Sequence, residues 1–189
     1  MERTLATPIP LRAPQATMDS ASRSQIEMAL SRLYDEHAAG IYRFCLGMFG
    51  RKEDAEDAIQ ALWLQLAKNP GATLAATEPA AYLWAIARNL VKSRLRRRAL
   101  EFFWTPAPAD PAELLAVAEG PADASAEARR ELARAVAKLR PRLRELVLLV
   151  GIEGFTLEEA AARLSIPRGT AASRYHAATV KLRQLLGER

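Results

Sequence analysis

Residues 153–186, with the sequence EGFTLEEAAARLSIPRGTAASRYHAATVKLRQLL, constrain the fold of this chain more than any other stretch. Apolar residues repeat at helical spacing on both sides of the segment SIPRG. Thr156 and Glu159 have the spacing of a capping box, which marks the start of a helix. The Pro and the Gly of SIPRG predict a tight turn. The pattern therefore predicts a helix-turn-helix, whose second helix can lie in the major groove of DNA. An ordinary helical hairpin with solvated charges is the alternative.

The second of these predicted helices separates its apolar residues from its polar ones. Its apolar stripe consists of Ala171, Tyr175, Ala178, Leu182 and Leu185. Polar and basic residues lie off this stripe near the start of the helix, where base edges and phosphates are reached. We predict DNA contacts from five of them: Arg168, Thr170, Ser173, Arg174 and His176.

Helical periodicity continues through most of the chain, and the sequence shows no strand-like alternation. It therefore predicts an all-α protein with two small helical domains, residues 25–100 and 128–189. Residues 101–127 hold four prolines, six acidic residues and no basic residue, which predicts a flexible acidic linker. Residues 1–24 lack periodicity and are expected to form a disordered tail, with Met18 as an alternative start.

The composition excludes several classes of protein. The chain has 189 residues and a formal net charge of +5, which suits a polyanionic partner. Its single cysteine, Cys45, cannot form a disulfide within the chain. The only histidines are His37 and His176, and the sequence has no phosphate-binding Gly loop and no nucleophile–base motif, so we expect no enzyme and no cofactor or metal. Without a membrane span or a signal-peptide core, we expect a cytoplasmic protein with no membrane insertion.

A run of cations ends the third predicted helix of the first domain. Arg88, Lys92 and Arg96 are spaced i, i+4, i+8 and so share one helical face. No acidic residue interrupts residues 88–98, and a run of this density repels itself unless an anion lies opposite. A solvated helix end is one interpretation. We favour contact with a nucleic-acid backbone.

Three segments resemble, in order, conserved regions of one known family. DAEDAIQALW (54–63) resembles sigma region 2.2, and YLWAIARNLVKSRLRRR (82–98) resembles regions 2.3 and 2.4. LRPRLRELVLLVGIEGFTLEEAAARLSIPRGTAASRYH (139–176) resembles region 4. On these motifs the chain is similar to a sigma factor of bacterial RNA polymerase, of the extracytoplasmic-function (ECF) type in the sigma-70 family. The resemblance covers residues 30–100 and 130–186.

The resemblance implies a role for each segment. Region 2.2 docks on the clamp of core RNA polymerase, and Asp54, Asp57 and Gln60 lie on one side of the predicted helix. The alternative is that the carboxylates only complement the helix dipole. Regions 2.3 and 2.4 melt and read the −10 promoter element, where cations and aromatic surfaces offset the cost of unstacking. The candidates there are Tyr82, Trp84, Arg88, Asn89, Lys92 and Arg96. Core packing is the alternative for the two aromatic residues.

Region 4 reads the −35 promoter element, which assigns the five polar residues of the helix-turn-helix to that contact. Positions often basic in relatives are Ala172, Ala177 and Thr179 here, so we expect the second domain alone to bind DNA weakly. The resemblance implies that the acidic linker threads towards the RNA path of polymerase and that residues 71–78 form a base-capturing loop.

The partners expected from the resemblance are core RNA polymerase, promoter DNA and an anti-sigma factor. The chain is thus predicted to direct promoter-specific transcription initiation. The rival interpretation is a stand-alone helix-turn-helix transcriptional regulator. That interpretation leaves the region 2 segments unexplained, and the sequence shows no clear dimer interface or effector pocket for it.

Overall fold

The computed structural model describes residues 20–100 and 125–187, and within these ranges all regular structure is helical. This confirms the predicted all-α class. In chain order the elements are α1 (Ser20–Phe49), α2 (Lys52–Lys68), α3 (Pro70–Leu74), α4 (Pro79–Leu100), α5 (Ala126–Ala137), α6 (Pro141–Leu146), a π-helical segment (Val147–Ile152), α7 (Leu157–Arg163) and α8 (Arg168–Leu185).

The described helices begin slightly outside the predicted domain limits. Helix α1 starts at Ser20, before the predicted limit at residue 25, and α5 starts at Ala126, before the limit at residue 128. Most of the predicted tail and nearly all of the predicted acidic linker lie outside the described residues.

Local sequence signals account for most helix ends. Gly50 follows α1 with a φ of 72°, a left-handed conformation that favours glycine, and its N–H bonds to the carbonyl of Leu46 at 2.7 Å. Pro79 opens α4, at a position where proline suits the start of a helix. Pro70 does not simply stop α2, because it also starts α3 at a position where the missing N–H costs nothing. The predicted loop at 71–78 is therefore helical over its first four residues, 71–74.

The helix-turn-helix is present, with a turn different from the predicted one. The capping box is confirmed: Thr156 accepts a hydrogen bond from the Glu159 N–H, and Glu159 accepts one from the Thr156 N–H at 2.9 Å. At the other end of α7, Ile166 N–H bonds to the carbonyl of Ala161 and Ser165 N–H to that of Ala162, as in a Schellman motif.

Ser165, rather than a glycine, takes the left-handed position of this motif, with a φ of 49°. Gly169 was predicted to help form the turn, which is wrong, since it lies inside the first turn of α8. The turn needs only Ser165, Ile166 and Pro167, because the Schellman hydrogen bonds end α7 and Pro167 directs the chain into α8.

The N-terminal helices pack around α1. Helix α1 contacts α2, α3 and α4, and α2 contacts α4. Long apolar side chains from α1, α2 and α4 fill this core: Ile41, Phe44, Leu62, Leu66, Leu83 and Val91. None of the described helices combines the length and apolar composition needed to cross a lipid bilayer.

The C-terminal helices pack around α8. Helix α8 contacts α5, α6, α7 and the π-helical segment, and its predicted apolar stripe faces this core, with Ala171 and Ala178 fully buried. The π-helical segment buries Val147, Leu148 and Leu149, three consecutive residues. A regular α-helix would turn at least one of three consecutive side chains away from a single core, so this burial requires partners on more than one side.

Those additional partners belong to the N-terminal helices. Helix α1 packs against α6 and the π-helical segment, and α4 packs against α7. The buried apolar residues of both halves form one continuous cluster in the described part of the chain. The sequence predicted two domains joined by a linker and gave no sign that their cores meet. We call this contact surface between helices α1–α4 and the C-terminal helices the seam.

We expect Ser165→Gly to stabilise the fold by about 1 kcal/mol, because a left-handed residue with a Cβ is strained by roughly that amount. The measurement is the free energy of unfolding in urea at fixed pH. Ser93→Gly is the matched control: Ser93 is exposed within α4, where glycine lowers stability by several tenths of a kcal/mol. Equal destabilisation by both substitutions would contradict the prediction.

Candidate nucleic-acid interface

Four of the six residues predicted to act at the −10 element lie on one exposed face of α4. Tyr82, Asn89, Lys92 and Arg96 are all exposed, and their separations of seven, three and four residues place them on the same side of the helix. Within residues 20–100 and 125–187, neither Lys92 nor Arg96 forms an ion pair. This face combines two cations, an amide and an aromatic ring, a set suited to a single nucleic-acid strand.

The other two predicted −10 residues point into the seam. Trp84 is 2% exposed and lies edge-on to Phe44 and Phe155, with ring centroids 5.7 and 5.3 Å away. The Arg88 side chain is 11% exposed, and its Nε lies 3.6 Å from a carboxylate oxygen of Glu145, itself buried. In this arrangement neither residue is accessible to DNA, so their predicted contacts require the seam to open.

Two other cations of α4 bind α2. Arg94 donates to the carbonyl of Asp54 at 2.8 Å and to the carboxylate of Asp57 at 3.1 Å, and Arg98 donates to the carboxylate of Asp54. Arg94 and Arg98 are spaced i, i+4, as are Lys92 and Arg96, on a different side of the helix. The spacing alone shows two pairs on two faces, but not which pair meets an acidic partner.

These contacts alter the electrostatics of Asp54. Its burial would raise its pKa, but the hydrogen bond from Arg98 and the charges of Arg98, Arg51 and Arg94 outweigh burial and lower the pKa below its usual value. Asp54 is therefore a bound carboxylate at the junction of α2 and α4.

The predicted polymerase-docking residues differ in exposure. Asp54 is half-buried by the arginines of α4, whereas Asp57 and Gln60 are exposed one and two turns further along α2. Asp57 keeps a largely exposed carboxylate even though Arg94 contacts it. The accessible part of the predicted docking site is therefore formed by Asp57 and Gln60, with Asp54 beneath them.

The five predicted −35 residues are divided between exposed and half-buried positions on α8. Arg168, Ser173 and His176 are exposed, and Arg168 donates a hydrogen bond to Glu158 of α7. Thr170 and Arg174 are half-buried on the flank of the helix. Over the first three turns of α8 an exposed line runs through Gly169, Ser173, His176 and Val180 and carries no arginine or lysine. The start of the helix therefore presents mainly small and polar groups, and its exposed Arg168 is held by Glu158.

Comparisons with known proteins agree on one family. Residues 33–101 match the family model described as Sigma-70 region 2, and residues 129–182 match the model described as Sigma-70, region 4. RNA polymerase sigma factor CarQ of Myxococcus xanthus is 32% identical over 173 residues, covering 88% of this chain and 94% of CarQ. ECF RNA polymerase sigma factor SigL of Mycobacterium tuberculosis is also 32% identical over 173 residues, covering 86% of this chain and 92% of SigL.

Two solved structures share the fold. One is the sigma factor RpoE in complex with the anti-sigma factor NepR from Bartonella quintana, with a TM-score of 0.65, 22% identity, and coverage of 87% of this chain and 98% of that one. The other is CnrH in complex with the cytosolic domain of CnrY, with a TM-score of 0.60, 22% identity, and coverage of 87% and 94%. At these identities the similarity concerns the fold.

We expect Asp54→Asn to lower the free energy of unfolding by about 1 kcal/mol at pH 7, because Arg98 and Arg94 lose their charged partner. Since the native pKa is lowered, the contribution is complete above the unfolded value, near pH ~3.9, and is lost as the pH falls through the native pKa. Urea unfolding at several pH values measures this difference. Asp57→Asn is the control, since that carboxylate is more exposed. A difference that persists unchanged at the acid end would contradict the assignment.

Proposed function

Because the chain belongs to the sigma-70 family of RNA polymerase sigma factors, in the ECF group, we propose that it acts on promoters through the exposed face of α4 and the first turns of α8. As a sigma factor it is an initiation factor rather than an enzyme. It directs core RNA polymerase to promoters, and core polymerase and promoter DNA are its partners. The stand-alone regulator is not favoured, because the region 2 match covers residues 33–101.

The main support for this proposal is the exposed face of α4. Lys92 and Arg96 supply charge for the phosphates of an opened strand, and Tyr82, 39% exposed, supplies an aromatic surface for a base. Asn89, between them along the helix, can donate to and accept from a base edge. Arg94 and Arg98 do not contribute to this face, since both bind α2.

Helix α8 is suited to an auxiliary role in binding the −35 element. Its exposed line of small and polar residues allows close approach to the major groove, where hydroxyl and imidazole groups reach base edges. Without arginine or lysine on that line, few phosphates are neutralised, so the helix binds usefully only when polymerase raises its effective concentration near DNA.

Polymerase docking is assigned to the N-terminal part of α2. Asp57 and Gln60 are exposed there and can pair with a basic, polar surface of core polymerase. Asp54 holds the junction with α4, so it acts by fixing the orientation of α2 relative to the DNA-reading face.

Family membership also suggests which kind of protein regulates this chain and where in the cell the chain acts. The sigma factor RpoE was solved in complex with the anti-sigma factor NepR, and CnrH, which shares the fold, was solved in complex with the cytosolic domain of CnrY. We extend this to an anti-sigma factor for the present chain, and we place its action in the cytoplasm, where polymerase and the chromosome are found.

The direct test uses the full-length protein with purified core RNA polymerase. Retention of core enzyme by the tagged protein, followed by promoter-dependent transcripts from genomic templates, is the expected result. Gln60→Ala together with Asp57→Ala should weaken core binding, whereas Lys68→Ala, at the exposed far end of α2, should not. Failure of the wild-type protein to retain core polymerase would overturn the proposal.

The −10 assignment makes a separate prediction about salt. Lys92→Ala and Arg96→Ala should each weaken promoter binding by the polymerase complex and reduce its salt dependence by about one unit of slope, because one phosphate contact is lost in each. The measurement is the dissociation constant of promoter DNA over a range of salt concentrations. Arg32→Ala removes an exposed cation from the N-terminal half of α1 and should leave the slope unchanged. Identical slopes for all three variants would refute the assignment.

A further inference from the structure

The outward face of α8 is defined by the burial of its opposite side. Ala171 and Ala178 are fully buried against the C-terminal core. An α-helix turns by about 100° per residue, so Ser173 and Val180, each two residues further on, lie about 200° around the helix from these alanines. Both are exposed, and the exposed fraction of Val180 is 38%. These two residues therefore mark the line of α8 that points away from the C-terminal core.

Four exposed side chains on this face have the spacing of a helix that reads a groove. Ser173, His176, Ala177 and Val180 follow one another as i, i+3, i+4 and i+7, and all are exposed. The homeodomain recognition helix uses the same spacing to meet base edges in the major groove. The four residues span about 10 Å along the helix axis, which is the length of about three base pairs. The outward face can therefore meet several neighbouring base pairs once α8 lies in the groove.

The polar groups of this face can form few hydrogen bonds to bases. Bidentate contacts from arginine or lysine to guanine are the commonest specific contacts, and none of the four outward residues is an arginine or a lysine. Arg168, at the start of the helix, donates to Glu158. The Ser173 hydroxyl already donates to the carbonyl of Thr170 at 3.1 Å, so it offers a base only its acceptor capacity. Polar readout from this face thus depends mainly on the imidazole of His176.

The other two outward residues are apolar. Ala177 and Val180 lie one turn apart and present methyl groups to solvent. In the major groove, the base feature that matches an apolar side chain is the C5 methyl group of thymine. Removing one such methyl group from water by contact is worth about fourfold in affinity. The two side chains therefore complement thymine and offer nothing to the hydrogen-bonding groups of the other bases.

Gly169 indicates that something outside the chain approaches this face closely. It lies on the outward face in the first turn of α8, where glycine is a poorer helix former than alanine. Its φ is not positive, and a Cβ placed on it would meet nothing within 4 Å in the described part of the chain. Neither the backbone nor the packing therefore requires glycine here. A residue without a side chain suits close approach of the helix backbone to a ligand.

We propose that Ala177 and Val180 select thymine at neighbouring positions of the −35 element by contact with its C5 methyl group. Gly169 and Ser173, on the same face, are small enough to let these short side chains reach the bases. The inference rests on the proposed function, because it requires α8 to lie in the major groove. It goes beyond that function by naming the feature of the bases that the helix reads.

The experiment separates the methyl group from the rest of the base. Full-length protein bound to core RNA polymerase is titrated with duplex DNA that carries a promoter found by mapping transcript starts. In the test duplex uracil replaces each thymine of the −35 element, which removes only methyl groups. In the control duplex uracil replaces the same number of thymines between the two promoter elements. The dissociation constant should rise about fourfold for each contacted methyl group in the test duplex and stay unchanged in the control.

Val180→Ala tests the protein side of the same contact. It removes two methyl groups from an exposed side chain and introduces a better helix former, so the fold is retained. On thymine DNA the substitution should weaken binding severalfold. On uracil DNA it should have little effect, because the partner methyl groups are already absent. Met28→Ala is the matched control, since Met28 is a 57% exposed apolar residue of α1 and its loss should change binding to neither DNA.

The results distinguish this inference from the proposed function. Methyl-dependent binding that Val180→Ala abolishes supports the inference. Equal dissociation constants for thymine and uracil in the −35 element would overturn it, as would a −35 element made only of G·C pairs or a Val180→Ala effect of equal size on both DNAs. In each of these cases the wild-type complex still binds its promoter, so the proposed function stands. A wild-type complex that binds no promoter would overturn the proposed function and this inference together.

Discussion

The packing of Trp84 between Phe44 and Phe155 is the contact on which the rest of the structure depends. Phe44 belongs to α1, and Phe155 lies between the π-helical segment and α7, so one indole ring joins the cores of both halves. Each half alone is small, and small domains bury a limited fraction of their apolar surface. Sharing one continuous cluster increases that burial and gives the described chain a single core. Glycine at positions 40 and 47 allows the helices to approach closely enough for this to happen.

The cations of α4 illustrate how one basic segment serves two purposes. Helical periodicity places Arg94 and Arg98 on the side of α4 that faces α2, and places Lys92 and Arg96 on the side that faces solvent. The first pair orients α2, which carries the proposed polymerase-docking residues, relative to the second pair, which faces the proposed path of the DNA strand. The distance between the two proposed interfaces is therefore fixed by ion pairs within the N-terminal helices.

The two helices that we propose to contact DNA, α4 and α8, differ in how much affinity each can supply. Helix α4 exposes Lys92 and Arg96, whereas the exposed line over the first three turns of α8 carries no cation, and Arg168 at the start of α8 is bound by Glu158. Since phosphate contacts supply most sequence-independent affinity, the role proposed for α8 lies in the choice of sequence more than in the strength of binding. Such a helix is effective when a tethered partner positions it, which agrees with membership of a family that acts on polymerase.

The sequence by itself determined the elements that depend on neighbouring residues. The capping box of Thr156 and Glu159 and the stripe through Ala171 and Ala178 are set within one or two helical turns, and both appear as predicted. For the same reason the all-α class and the order of the helices followed from periodicity. One local signal was misread, because Gly169 was expected in the turn but lies inside α8, and Ser165 takes the left-handed position.

Only the tertiary structure decided which faces of these helices are available. Periodicity shows that Trp84, Arg88 and Lys92 lie on α4, but not that Glu145 and Phe155, more than fifty residues away, cover the first two and leave the third exposed. The exposure of a side chain depends on contacts between residues distant in sequence, and no local pattern records them. The order of residues thus determined which side chains each helix carries, and the packing of the two halves decided which of them are accessible.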